Sequence, residues 1–272
     1  MADTFDMKKI TVSVIGCGAM GGAVIRALCK RIDPQSVKVS AKHFEHAEAT
    51  AAETKCIAFP TNAEAARTSD FVFIAVKPAC VPSVLQEISS ALREDAVVVS
   101  MAAGISLDTL SGACGKPAVR IMPNMPVSVG EGMTAIAASS DVSEERIAAV
   151  CAILEASGRV ERVDEKLMDC VTAVSGSGPA YAFVFIEALA DAAVRCGMPR
   201  DAACVYAAQT VKGAAAAVLA GGKSPAALKD AVCSPGGTTI EGIAALEKAG
   251  FRSAVFDAVK AACEKSAAMS KR

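Results

Sequence analysis

The sequence predicts a parallel α/β domain over residues 1–163 followed by an all-α domain over residues 164–272. Three observations carry that expectation. Short β-branched or wholly apolar runs alternate with helix-period segments through the first part, which is the pattern of βαβ units. Gly16, Gly18 and Gly21 stand where the first such run passes into the first helical pattern. Beyond residue 163 the β-branched runs stop, and proline and glycine punctuation marks out helices instead.

Each element has its own justification. Residues 10–15 form a short β-branched run, and residues 19–31 place Met20, Val24, Ala27 and Leu28 at helical spacing. Residues 37–41 read as a second strand, 43–55 as an Ala/Glu-rich helix and 56–59 as a short third strand. Residues 71–76 are apolar throughout, as a strand buried on both faces requires; Pro78 stops it, and residues 81–92 read as a helix. Residues 96–100, 119–122 and 133–138 are further strands. Ser143 caps a helix that Gly158 ends, and residues 159–163 are strand-like. In the second domain Pro179 and Pro199 suit first helical turns, and Gly197, Gly221 and Gly250 suit helix ends. Ser224-Pro225 and Thr238-Thr239 open two further helices.

Composition narrows the function. A net charge of −1 with no basic run argues against a nucleic-acid partner and against a disordered chain. The chain is 53% apolar yet only 4% aromatic, and alanine carries the excess, so a membrane must be considered. The longest uncharged run, residues 170–186, is interrupted by Ser-Gly-Ser-Gly-Pro, whereas a spanning helix needs about 20 unbroken, mostly apolar residues. No long apolar stretch precedes Gly16, so no signal peptide is read and the expected location is the cytoplasm, with no membrane partner. Eleven cysteines without a C-x-x-C pair read as scattered, reduced core thiols. His43 and His46 stand three apart but lack an evident third ligand, so no metal site is expected.

Ile15-Gly16-Cys17-Gly18-Ala19-Met20-Gly21 is a G-x-G-x-x-G fingerprint set between strand and helix. The first glycine permits a tight turn, the second lets backbone approach a pyrophosphate, and the third allows close helix–strand packing. The helix N-terminus adds amide donors and the positive end of its dipole. A dinucleotide-binding Rossmann domain follows. Where NAD enzymes commonly place an acid on the ribose 2′-hydroxyl, the second strand ends in Ser40-Ala41-Lys42-His43, with no acid before Glu45. A hydroxyl, a lysine and a histidine suit a 2′-phosphate, so NADPH is the expected cofactor, with NADH the alternative.

Five motifs occur in the order of one family. They are Ala75-Val76-Lys77-Pro78, Ser100-Met101-Ala102-Ala103-Gly104, Arg120-Ile121-Met122-Pro123-Asn124-Met125-Pro126, Ser175-Gly176-Ser177-Gly178-Pro179-Ala180-Tyr181 and Ser234-Pro235-Gly236-Gly237-Thr238-Thr239-Ile240. The last leads to Leu246-Glu247 and Gly250-Phe251-Arg252. From about residue 10 to 265 the chain resembles pyrroline-5-carboxylate reductase. The resemblance implies a Rossmann domain, a helical dimerisation domain, and NAD(P)H-dependent reduction of a cyclic imine to L-proline. It puts cofactor contacts on Ile15, Gly16, Cys17, Gly18, Ala19, Met20, Lys42, Asn62, Val76, Lys77 and Ala103. It puts substrate contacts on Ser234, Gly236, Gly237, Thr238 and Thr239. Met125 stands where the family usually has Thr, and Ala231 where many members have Asn; each removes a polar group and leaves the motifs intact.

The residues support this chemistry on their own terms. A protonated C=N already carries its positive charge, so its reduction needs orientation more than a strong acid, whereas a ketone develops an alkoxide and calls for His or Lys. The chain has two histidines, both at the expected adenosine end. Glycines before a helix start expose consecutive amides, a ready carboxylate site. An ordinary Gly-Gly turn with a threonine cap would read the same way; with the carboxylate substrate that the resemblance implies, Gly237, Thr238 and Thr239 are assigned its carboxylate, and the Thr239 hydroxyl the ring nitrogen. A β-hydroxyacid dehydrogenase needs a lysine after the glycine-rich segment of its long helix, and residues 178–189 contain none. A dinucleotide sensor without turnover would have no use for the Thr238-Thr239 loop. Alanine is denser in the last 108 residues (28) than in the first 164 (also 28). A helical domain so short of large core residues is expected to complete its burial in a homodimer or larger assembly.

Overall fold

The structure, a computed structural model, describes residues 9–270. Residues 1–8 and 271–272 are the outer ends of the two expected domains, and the former are part of the stretch read as carrying no signal peptide; they lie outside the described residues.

Two compact units are present. The first comprises the chain up to Ser177 together with the segment from Ala262, and the second is Gly178–Ala261. The first unit is built on strands β1 (Val12–Ile15), β2 (Val37–Ser40), β3 (Ile57–Ala58), β4 (Phe71–Ile74), β5 (Val97–Ser100), β6 (Ala118–Met122), β7 (Gly132–Ala138) and β8 (Gly158–Arg162). They form one sheet in the order β3-β2-β1-β4-β5-β6-β7-β8, parallel except where β6 meets β7. Chain order reverses between β1 and β4, the place where open α/β sheets bind ligands.

Alternation sends successive strand residues to opposite faces. Val12, Val14, Phe71, Phe73, Val97 and Val99 pack on one face with Val24, Ile25 and Leu28 of α1 (Ala19–Arg31) and Ile147, Val150 and Ile153 of α6 (Glu144–Leu154). Ile15, Val72, Ile74 and Val98 pack on the other with Val81, Leu85 and Ile88 of α4 (Val81–Ile88) and Leu107 and Leu110 of α5 (Leu107–Cys114). Strands covered twice read as apolar throughout, which is why β4 and β5 are conspicuous in the sequence. Helix α2 (Phe44–Thr54) connects β2 to β3, α3 (Asn62–Ala66) connects β3 to β4, and a short α7 (Met168–Val171) follows β8.

The second unit contains α8 (Gly178–Arg195), α9 (Arg200–Leu219), α10 (Pro225–Val232), α11 (Thr238–Lys248) and the first part of α12 (Phe251–Ser270). Its described apolar core is Ala190, Ala203 and Ala207. Of the 20 large apolar residues exposed among the described residues, 14 lie between Phe183 and Phe256.

Two sequence readings need correction. The Ser-Gly-Ser-Gly-Pro stretch does break the regular α-helix, with a π-helical turn at Thr172–Gly176 and a bend at Ser177, but the break lies inside a longer apolar helical run, Glu165–Arg195. That run and Arg200–Leu219 are long and apolar enough to cross a bilayer by length and composition. The cysteines are not simply scattered either: Cys17, Cys29 and Cys56 pack in one core.

Candidate active site

The expected cofactor residues converge because parallel strands in register end together. Ile15 of β1 pairs with Ser40 of β2 and with Ile74 of β4, and Ile74 pairs with Ser100 of β5. The turns beyond those four residues carry Gly16–Met20, Lys42, Val76 and Lys77, and Ala103, all at the carboxyl edge of one sheet. Asn62 joins them: its Oδ1 accepts the Ser40 hydroxyl at 2.9 Å, and its Nδ2 donates to Glu87 at 2.9 Å.

The glycine-rich turn has the shape its sequence requires. Gly16 has φ +110°, and a Cβ there would stand 2.5 Å from the Ala75 carbonyl oxygen. Its N–H donates to the Ser40 carbonyl at 2.8 Å, which ties the turn to β2. A Cβ on Gly21 would meet the Gly16 carbonyl oxygen at 2.0 Å, so helix and turn touch backbone to backbone. Gly18, the N-cap of α1, has no side-chain cap, and open space surrounds the position its Cβ would take. An uncapped helix N-terminus with free approach is a phosphate cradle, so the residues present fit a dinucleotide.

The selecting stretch at the end of β2 differs in one respect from its sequence reading. The Ser40 hydroxyl is fully buried and committed to Asn62. It is not available to a 2′-phosphate. Lys42 and His43 are exposed, Glu45 lies in the first turn of α2, and Lys77 is exposed at the cap of a short turn after β4. Among the described residues no group of three His, Cys, Asp or Glu side chains is placed to hold a metal.

The expected substrate loop lies in the second unit. Gly236 turns with φ +66°, and Gly237 is the N-cap of α11 without a side-chain cap. Its N–H donates to the Ser234 carbonyl at 3.0 Å, so it is spent inside the turn. A Cβ at Gly237 would stand 2.3 Å from Ser234 Oγ, so a side chain there would have to turn the serine hydroxyl aside. The unpaired donors at this helix start are therefore the Thr238 and Thr239 amides rather than all three assigned from sequence. Thr239 is half-buried and Thr238 exposed. Ala231 lies exposed on α10, and Met125 is half exposed in a turn after β6.

One polar anchor had gone unremarked within its motif. Asn124 is buried; its Oδ1 accepts the Met133 N–H at 2.9 Å, and its Nδ2 donates to the Ser175 carbonyl at 3.2 Å. It ties the end of β6 to the π-helical turn. Nearby, Arg120 of β6 pairs with Glu165 at 2.7 Å, and the same carboxylate oxygen accepts the Leu107 N–H at 2.8 Å. A buried Asn between two prolines was the available signal, since such an amide must find partners.

The chain is 44% identical to pyrroline-5-carboxylate reductase of Escherichia coli over 96% of its own length and 98% of that protein. The chain belongs to the pyrroline-5-carboxylate reductase family. Residues 165–269 match the family model for pyrroline-5-carboxylate reductase dimerisation, and residues 11–104 match the model named NADP oxidoreductase, coenzyme F420-dependent. Two solved reductases share the fold. The one from Coxiella burnetii aligns with TM-score 0.91 and 31% identity, over 97% of this chain and all of that one. The Plasmodium falciparum enzyme, solved with NADP bound, aligns with TM-score 0.88 and 33% identity, over 97% of this chain and 99% of that one. The reductase dimerisation model covers both long apolar helices, so subunit assembly accounts for their exposed faces.

Proposed function

We propose that the protein reduces 1-pyrroline-5-carboxylate to L-proline, the last step of proline biosynthesis, as a cytoplasmic homo-oligomer that uses NADPH. The observation that carries the reading is 44% identity to a named reductase over 96% of the chain, an alignment long enough to take in both the glycine-rich turn and the Ser234–Thr239 loop.

Bound NADPH supplies the hydrogen and electron pair that reduce the C=N bond. The chain's residues hold and orient. The α1 N-terminus and the Gly16–Met20 turn receive the pyrophosphate, and Lys42 offers its charge to the 2′-phosphate. Val76, Lys77 and Ala103 border the cofactor beyond β4 and β5, and Asn62 braces the turn through Ser40. The Thr238 and Thr239 amides take the substrate carboxylate, with Ser234 and Gly236 shaping the loop. The Thr239 hydroxyl accepts the iminium N–H and holds it in line. The ring nitrogen takes up the electron pair of the C=N bond as the new C–H bond forms, so no protein acid is consumed.

The test is cofactor oxidation in the presence of the imine, run with NADPH and with NADH. NADPH turnover with a higher kcat/KM than NADH is expected; binding without turnover would leave a sensor. Thr239→Ala is expected to lower kcat/KM about 10- to 100-fold, the worth of one hydrogen bond to a charged group. NADPH affinity should not change.

A further inference from the structure

Asn124 is a buried amide whose oxygen and nitrogen both have partners in the first unit. It stands two residues beyond the end of β6. The Met133 N–H of β7 donates to its Oδ1 at 2.9 Å. That backbone donor fixes which end of the amide is oxygen and turns Nδ2 the other way. Nδ2 meets two oxygens of one residue, the Ser175 carbonyl at 3.2 Å and Ser175 Oγ at 3.3 Å.

Ser175 needs such a donor. Four residues on, where an α-helix would supply an N–H to its carbonyl, stands Pro179, which has none. The helical run widens here into the π-helical turn, closed by the Ser177 N–H on the Thr172 carbonyl at 2.9 Å. Turns of this kind are frequent at functional sites. A serine hydroxyl has one proton and two lone pairs. Nδ2 is a donor, so it occupies a lone pair, and the half-buried Ser175 hydroxyl keeps its own proton to give.

Position decides what receives that proton. The carboxyl edge runs β2, β1, β4, β5, β6, with neighbouring strands about 4.8 Å apart. Lys42 lies beyond β2, the glycine-rich turn beyond β1 and Ala103 beyond β5. A dinucleotide laid along this edge, its 2′-phosphate at β2 and its pyrophosphate at β1, carries its nicotinamide towards β5 and β6. Arg120 of β6 pairs with Ser100 of β5. A Cβ on Gly176 would stand 3.9 Å from Met122 Sδ, so the π-helical turn sits against the end of β6.

On the reading that this edge binds NADPH, we propose that the Ser175 hydroxyl donates to the carboxamide oxygen of the nicotinamide, and that Asn124 is the positioning residue that aims it. A carboxamide turns about a single bond, and its ring can present either face. A fixed donor on its oxygen selects one arrangement. The Asn124 side chain is itself held by the backbone of β7, so the hydroxyl is set by the sheet.

The experiment reads cofactor placement with and without turnover. NADPH is titrated into the full chain, and the emission of its reduced nicotinamide, which strengthens when the ring is immobilised, is recorded. Affinity for 2′,5′-ADP, which lacks the nicotinamide, is measured beside it. Ser175→Ala keeps the carbonyl tie and loses only the hydroxyl. Its bound-NADPH emission is expected to fall towards that of free NADPH, with 2′,5′-ADP affinity unchanged. Single-turnover oxidation of NADPH by the imine should slow about 10-fold, the worth of one hydrogen bond. Ser175→Thr, which keeps a hydroxyl, should restore both readouts. Asn124→Asp keeps the acceptor for Met133 and replaces the donor, so it should repeat the losses of Ser175→Ala. The double variant should lose little more than Asn124→Asp alone, since both act through one hydroxyl. Parent emission and a parent single-turnover rate in Ser175→Ala would overturn the proposal. So would an Asn124→Asp protein that loses as much affinity for 2′,5′-ADP as for NADPH, the mark of general damage to the unit. A parent that binds NADPH and turns over no imine would sink the reductase reading alone, because the emission readout still judges Ser175 and Asn124.

Discussion

The two units solve the burial problem in opposite ways. In the first, eight strands present alternating apolar residues to helices on both faces, and side chains as large as Phe71 and Phe73 are fully buried. In the second, the described core is three alanines, while Phe183, Val184, Val205, Tyr206, Leu219 and Phe256 are each at least half exposed. Hydrophobic stabilisation scales with apolar area removed from water, so small cores contribute little. The first unit closes on its own residues; the second presents the surface that a dimerisation family model covers. Alanine density therefore goes with a thin core of small residues and with large apolar side chains left at the surface.

The sharpest way to break that comparison is to cut each side. Phe71→Ala removes a ring from the closed core and is expected to cost about 3–5 kcal/mol of unfolding free energy, measured by denaturant titration. A loss under about 1 kcal/mol would mean that the sheet core is not the main source of stability. On the other side, Val184→Glu or Val205→Glu places a charge on an exposed apolar helix face. In a monomer such a change is nearly neutral. In an assembly that buries the face, the unpaired charge is expected to weaken association at least about 100-fold. Sedimentation at micromolar concentration reads this directly, and a parent protein that already sediments as a monomer would remove the contrast altogether.

The fold was legible where physics is local. Strand β4 is wholly apolar, and β1 and β5 carry one serine each among valines and isoleucine, because both faces are covered; Ser143 and Ser224 cap helices as their residue types suggest. The short helices α3 and α5 were not read. Each is set by tertiary packing of a few buried residues, Ala65 and Ala66 in one and Leu107 and Leu110 in the other, rather than by a long period. The antiparallel turn from β6 to β7 and the π-helical turn depend on partners distant in sequence, Asn124 with Ser175 among them. At the candidate site, the glycine-rich turn was legible because glycine spacing encodes backbone geometry. The commitment of the Ser40 hydroxyl to Asn62 and of the Gly237 amide to Ser234 was not, since a hydrogen bond already made leaves no trace in residue type.

The cofactor edge offers a smaller test, confined to the first unit. With Ser40 committed inward, Lys42 is the cation that the proposed reading leaves, beside His43, for a 2′-phosphate. Lys42→Ala is expected to weaken NADPH binding about 10-fold and NADH binding much less, the difference expected of one exposed charge-assisted contact. Equal losses for the two cofactors would place the selectivity elsewhere along the same edge.

Helix caps provide the finest comparison, because the local interaction is the same in both units. Ser143 Oγ accepts the Arg146 N–H at 3.3 Å at the start of α6, and Ser224 Oγ accepts the Ala227 N–H at 3.2 Å at the start of α10. Replacing such a cap with alanine typically costs about 1 kcal/mol. What differs is the packing behind it. Helix α6 buries Ile147, Val150, Ile153 and Leu154, so it melts only with the sheet core, and Ser143→Ala should lower global stability by about that amount. Helix α10 buries none of its residues within its own unit. Ser224→Ala should therefore appear as local opening, with faster amide exchange across residues 225–232 and a global change below about 0.5 kcal/mol. If the two substitutions gave the same global loss and the same exchange pattern, α10 would be bound into a cooperative core, and the contrast between a closed unit and an open one would fail at its edge.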